Sequence, residues 1–366
     1  SWSTLFFTTP VALGSVGMRT HGCSVPAGSP KVPISRKRLS LTVDRRVDRH
    51  HPDLDRIVAP GTEILPLASG GLFDDLGGGP SHRYARTLEG PVWVEDGGYL
   101  FFSDIGNNRQ IKWTADGNLS VLHHPTNHTN GAALDQQGRI VSCEHSSRRV
   151  TRREKDGSIT VIADQFEGRR LSRPNDVVVR SDGNIYFTAP WWDFGSGEAQ
   201  EVEFNGVFRV SPDLTTVTAV VRDFELPNGL CFSPDEQTLY INDTRRREIR
   251  AFNMLSDGSL DPRSNRVFAQ LYGEGYGSPD GMKVDIEGNV YCGGPGGVWI
   301  LDPDGTHLGT IVHGAAQTNN LVFGGPNRRT LFFVSWVSFS SIDVRIPGAP
   351  IPRSPIELRL EQDGAP

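Results

Sequence analysis

The chain has 366 residues, a formal net charge of −6, 41 glycines, 25 prolines and 22% charged residues. That balance excludes a helical bundle, which would be richer in Ala, Leu, Glu and Lys, and the net-acidic chain has no bulk attraction to nucleic acid or anionic membrane. No uninterrupted apolar stretch reaches the ~18 residues that a membrane-spanning helix needs.

From the N-terminus, residues 1–43 contain no Asp or Glu but carry Arg19, Lys31, Arg36, Lys37 and Arg38 among many Ser, Thr and Pro. Such a head reads as a disordered tail, as sequence upstream of a later start, or as an organelle transit leader. We expect residues 1–58 to stand apart from the chemistry, in a protein that is cytoplasmic, or organellar if the head is a leader. A domain is expected over 59–350, followed by a tail over 351–366.

Within 59–350 the chain repeats itself. Phrases that open on a polar residue and run into an apolar strand begin at Glu89, Asn130, Asn175, Asn228, Asp280 and Asn319, roughly 40–50 residues apart, the period of a propeller blade. Each unit alternates apolar runs with turn residues. In the first, "GPVWVEDGGYLFFSDIGNNRQIKWTADGNLSVL", breaks fall at Asp96-Gly97-Gly98, Asn107-Asn108 and Asp116-Gly117, where Gly and Asn suit hairpin turns. Six units predict an all-β, six-bladed propeller. The last unit is short by a strand, and "TEILPLA" at 62–68 is the N-terminal strand expected to close it. Cys23, Cys143, Cys231 and Cys292 form no C-x-x-C pair, so neither a disulfide framework nor a zinc site is expected.

In a propeller each unit's first strand lines the central channel, so the six opening residues converge on one mouth. Asn-Gly and Asp-Gly are ordinary turn dipeptides, but Glu89 is no turn residue and Asn175 is followed by Asp176. A ring of amide and carboxylate oxygens with two acids, Glu89 and Asp280, suits a hard divalent cation. Calcium is the first choice, with zinc, magnesium and manganese as alternatives. Asn130 and Asn175 stand on the same ring as candidate substrate contacts.

The ordered motifs "EGPVW" (89–93), "RPNDVVV" (173–179), "PNGLCFS" (227–233) and "SPDGMKVD" (278–285) resemble those of the gluconolactonase/senescence marker protein (regucalcin) family. "CEHSSRRVTR" (143–152), "GPGGVWILDPDGTHLGTI" (294–311) and "FGGPNRRTLF" (323–332) resemble its gluconolactonase branch, and the match extends over about residues 60–346. The resemblance implies that Glu89, Asn228 and Asp280 bind the metal, that Asn175 sits at the metal or substrate edge, and that Arg173 contacts substrate. The activity implied is hydrolysis of a sugar lactone by metal-activated water, with Asp280 as the carboxylate that takes the proton or attacks directly. Hydrolysis of phosphotriesters or other esters on the same fold, and calcium or ligand binding without catalysis, are the other readings.

No G-x-S-x-G elbow or H-E-x-x-H motif occurs. His123, His124 and His128 read as a polar loop, and His145 as packing near the mouth. Two features depart from the family pattern. Ala189 stands where many members carry Asp and is followed by Trp191 and Trp192, which could overhang the mouth. The stretch 69–88 reads as an insertion that adds a further wall.

Overall fold

A computed structural model describes residues 44–69, 76, 87–193, 196–314, 317–336 and 338–353. Most of the inserted stretch 69–88, and the whole of 1–43, lie outside the described residues. Among the described residues six antiparallel sheets succeed one another in chain order, accompanied by a ribbon of Gln165–Phe166 and Arg169–Arg170. The predicted six-bladed propeller is the observed fold.

Blade 1 runs Leu88–Val94, Tyr99–Asp104, Arg109–Thr114 and Leu119–His123. The inner strands of blades 2 to 6 are Thr129–Leu134, Val177–Val179, Pro227–Phe232, Met282–Val284 and Asn320–Gly324. Blade 6 is completed by Leu65–Ser69, which pairs antiparallel with Ser338–Asp343. The chain therefore closes its circle with the strand expected from "TEILPLA".

Ordered structure also reaches below residue 59. Arg46–Arg49 adds a fifth strand to blade 5 by pairing with His307–Val312. The helical turn Leu54–Ile57 follows it and buries Leu54 and Ile57.

Apolar residues on both faces of every sheet are what make this architecture. The buried side chains fall into six clusters, one at each seam between neighbouring blades. The largest joins blades 5 and 6 and contains Leu54, Ile57, Val58 and Ile64 from the N-terminal segment. That segment thus clamps the seam beside the closing strand. Truncating Leu54, which is fully buried, leaves a cavity there. Leu54→Ala should lower unfolding stability in urea by about 2–4 kcal/mol. A change below about 0.5 kcal/mol would show that the segment is a loose appendage.

Three cysteines, Cys143, Cys231 and Cys292, are buried free thiols within these seams. Burial raises all three above the ordinary thiol range, which suits packing residues.

Candidate active site

The inner strands all begin at one mouth of the channel, and five of the six residues expected to meet there do so. Asn130 Nδ2 donates to Asn175 Oδ1, and Asn175 Nδ2 donates to Asn228 Oδ1. Asn228 Nδ2 continues the chain to Thr244 Oγ1 (3.1 Å), which donates to Pro279 O (2.8 Å), next to Asp280. Asp280 Oδ2 accepts from Gln317 Nε2 (2.8 Å). Glu89 Oε2 accepts from the Gly90 amide (2.8 Å) and from Asn320 Nδ2 (3.0 Å). All five ring residues are buried. The sixth opening residue turns away: Asn319 Nδ2 donates to Leu88 O (3.0 Å) and ties blade 6 to blade 1.

Close approach at the axis explains why Gly so often follows a ring residue. A Cβ on Gly229 would sit 2.2 Å from Asp280 O, and one on Gly281 would sit 2.0 Å from the Asn320 side chain. Neighbouring backbones meet here instead: Gly281 N bonds Asn319 O and Gly131 N bonds Asn175 O. The two units that lack this Gly put Asp176 and Asn320 into the axis, where Asn320 Nδ2 reaches Asp176 Oδ2 at 3.4 Å. Sequence reasoning noted the missing Gly at Asp176 without assigning it a place, and it missed Asn320, Gln317 and Lys283. The broken X-Gly register was the available signal for the first two; nothing local marks the others.

Three buried carboxylates therefore stand near enough for their charges to act on one another. Burial, and then the charge of Asp176, raises Glu89 to about 7. Burial, and then Glu89, pushes Asp280 well above the carboxylate range, and burial raises Asp176. Lys283, on the inner strand of blade 5, opposes the rise at Glu89 and Asp176. Asp280 Oδ1 is buried with no hydrogen-bond partner among the described residues. An unsatisfied carboxylate oxygen beside a second acid and an Asn oxygen is the donor set a hard cation takes. Among the described residues no three His, Cys, Asp or Glu side chains gather as a metal cluster, so amides would have to complete the shell of any ion held there.

A carboxyl raised in the folded state favours folding while it is protonated. That contribution is complete below the unfolded value near 4.5 and is lost as pH rises toward 7. In EDTA, the melting temperature should fall between pH 5 and 7.5, and Glu89→Gln should flatten that fall. Identical slopes for the two proteins in thermal melts would remove Glu89 as the cause.

His145 belongs to the ring as well, since its Nε2 lies 3.2 Å from Asn130 Nδ2. Burial, and then Arg173, lowers it to about 3, so it is neutral at physiological pH. His128 stays with the polar loop, its Nδ1 2.6 Å from Ser146 Oγ. Arg173 stands one layer out and is fully buried. It donates to Trp192 O (2.8 Å), His145 O (3.1 Å), Ser196 Oγ (3.1 Å) and Glu198 Oε2 (2.8 Å), so it binds the 190–204 loop to blade 2. Trp191 lies between two guanidiniums, with Arg148 and Arg173 each 5.1 Å from a ring centroid.

Ala189 is explained by the same loop. In blades 1, 2 and 4 the matching residue is an acid that knits a short hairpin: Asp104 accepts from Arg109 (2.9 Å), Glu144 from Arg149 (2.7 Å) and Asp243 from the Arg245 amide (2.9 Å). Blade 3 has the long loop in place of that hairpin, so its acid has no role of that kind. The departure alters a wall of the mouth and leaves the ring whole. A cavity of about 740 Å³ opens at the other end of the channel, lined by Val92, Ala132, Leu230 and Lys283 among others. None of the five ring residues lines it.

The family profile described as SMP-30/Gluconolactonase/LRE-like region matches residues 88–337, more than half of the chain and every blade. The chain belongs to this family. The gluconolactonase of Zymomonas mobilis is 30% identical over 78% of this chain and 83% of its own length. The pentonolactonase of Haloferax volcanii is 26% identical over 68% and 80%. Among solved structures, a gluconolactonase of Xanthomonas campestris superposes with a TM-score of 0.71 at 32% identity, covering 82% of this chain and 96% of its own. The calcium-binding regucalcin of Agrobacterium tumefaciens shares the SMP-30/gluconolactonase fold at a TM-score of 0.62 and 20% identity, over 80% and 98%.

Proposed function

We propose that this lactonase opens sugar lactones at the ringed mouth with the help of a divalent cation, calcium first, held by Glu89, Asn228 and Asp280 with Asn175 at its edge. Its relatives are lactonases of aldonic and pentonic substrates, which supports the reaction class. The observation that carries the cation is the buried, unpartnered Asp280 Oδ1 beside Glu89.

When bound, the cation supplies Lewis-acid polarisation of the lactone carbonyl and lowers the pKa of a neighbouring water. The residues divide the remaining work. Asp280 is held by Gln317 through Oδ2, and its Oδ1 would both face the cation and take the proton of the attacking water. Burial that raises its pKa also makes it a stronger base for that step. Asn130 and Asn175 present amides to the hydroxyls of the sugar ring. Neutral His145 fixes the Asn130 amide without adding charge. Arg173 acts one step removed, by holding the Trp191 wall.

The test is a substrate panel. D-glucono-1,5-lactone and pentono-lactones should be hydrolysed with kcat/KM at least about 10-fold above any phosphotriester. Turnover of phosphotriesters alone would favour the other hydrolase reading. Calcium binding without turnover of any lactone or ester would favour the non-catalytic one.

A further inference from the structure

The mouth is asymmetric. On the blade 3 side stands the long, clamped 190–204 loop. Two blades on, blade 5 turns in the shortest of the described hairpins at this mouth, with Gly294 paired directly to Gly297. Over that low side lie exposed aromatics that the core does not use. Tyr276 is 62% and Trp336 40% exposed, and their rings meet edge to face at 5.7 Å and 72°.

Both stand in segments that adjoin those carrying the ring's two acids. The loop carrying Tyr276 runs four residues later into Asp280. It is pinned on both sides: Tyr272 Oη donates to Arg246 O on blade 4 (3.2 Å), and Gly296 N donates to Tyr276 O on blade 5 (2.9 Å). Gly277, at φ 129, lies so close to blade 5 that a Cβ would meet Gly294 O at 2.5 Å. Trp336 follows Ser335, whose carbonyl accepts from Leu88 N (3.3 Å), directly before Glu89. The pair is therefore held beside the Glu89–Asp280 edge of the ring, on the side where the wall is lowest.

Large aromatic faces left this open in a fixed loop cost solvation unless something covers them. From this geometry we infer that Tyr276 and Trp336 form a subsite for a glycosyl substituent, so that the preferred substrate is a lactone carrying a second sugar. This rests on the lactonase reading. A saturated sugar ring offers C–H faces to stack on the aromatics and keeps its hydroxyls toward water. A half-open platform suits such an occupant better than an aryl group, which would remain half exposed to water.

The test compares kcat/KM for 4-O-glucosyl-glucono-1,5-lactone and for glucono-1,5-lactone. Wild type should favour the substituted lactone. Tyr276→Ala and Trp336→Ala should each cut that ratio about fivefold, while Tyr276→Phe and Trp336→Phe keep it. A ratio that the alanine variants leave unchanged overturns the proposal, as does a larger gain on an aryl-substituted lactone. If no lactone is hydrolysed, the lactonase reading fails by itself. The subsite is then judged by titrating intrinsic fluorescence with cellobiose and glucose. A saturable change with cellobiose that Tyr276→Ala abolishes sustains it, and no change sinks it.

Discussion

Asp280→Asn should lower kcat/KM for gluconolactone by at least about 10³-fold and leave the folded protein intact or slightly more stable. The activity term combines loss of the proton acceptor with loss of one of two charges on the cation, effects of about 10²–10⁴ and several kcal/mol respectively. The stability term has the opposite sign for a physical reason. Burial and Glu89 both disfavour a charge on Asp280, and its Oδ1 has no partner to offset that cost. A neutral amide of the same shape removes the repulsion. Steady-state kinetics and a thermal melt in EDTA check the two halves together. Retained activity would remove Asp280 from the centre of the chemistry. Lost activity with a collapsed melt would make it a structural residue.

Chelation is the second large effect. Incubation with EDTA should reduce turnover by at least about 10²-fold, and added calcium should restore it. Without a cation, Glu89, Asp176 and Asp280 face one another with Lys283 as the opposing charge. Burial and mutual repulsion then favour the protonated forms of Glu89 and Asp280, and a protonated Asp280 cannot accept another proton. Calcium at 100 times its Kd should also raise stability by about 2.7 kcal/mol, and the Asp280→Asn protein should show almost none of that gain. Activity that survives exhaustive chelation, with metal content measured at zero, would require a metal-free route. Restoration by zinc but not calcium would keep the site and change the ion.

The blades were legible because their signals are local. Alternating apolar runs, turn residues at fixed offsets and a recurrent period require no knowledge of distant contacts, and the short last unit pointed to the Leu65–Ser69 strand that closes it. Five of the six opening residues were placed on the ring for the same reason: pseudo-symmetry turns a sequence position into a position in space. The rest depended on contacts between remote segments. Asn319 departs from the ring because the side chain beyond it, Asn320, reaches Glu89 across the closure of the circle. Arg173 sits in a matching motif, yet a loop that differs from the other blades takes up its donors. Residues 46–58 carry no repeat, so nothing local announced that they would extend blade 5 and seal its seam.

The sequence by itself determined the six-fold repetition, the strand that closes it and five of the acids and amides that meet at the axis, because each follows from periodicity. Only the tertiary structure decided how those groups act on one another: which carboxylate oxygen lacks a partner, how far burial and neighbouring charge raise the acids, and which side of the mouth lies open. Those properties arise from distances between blades, and no residue's local environment along the chain encodes them.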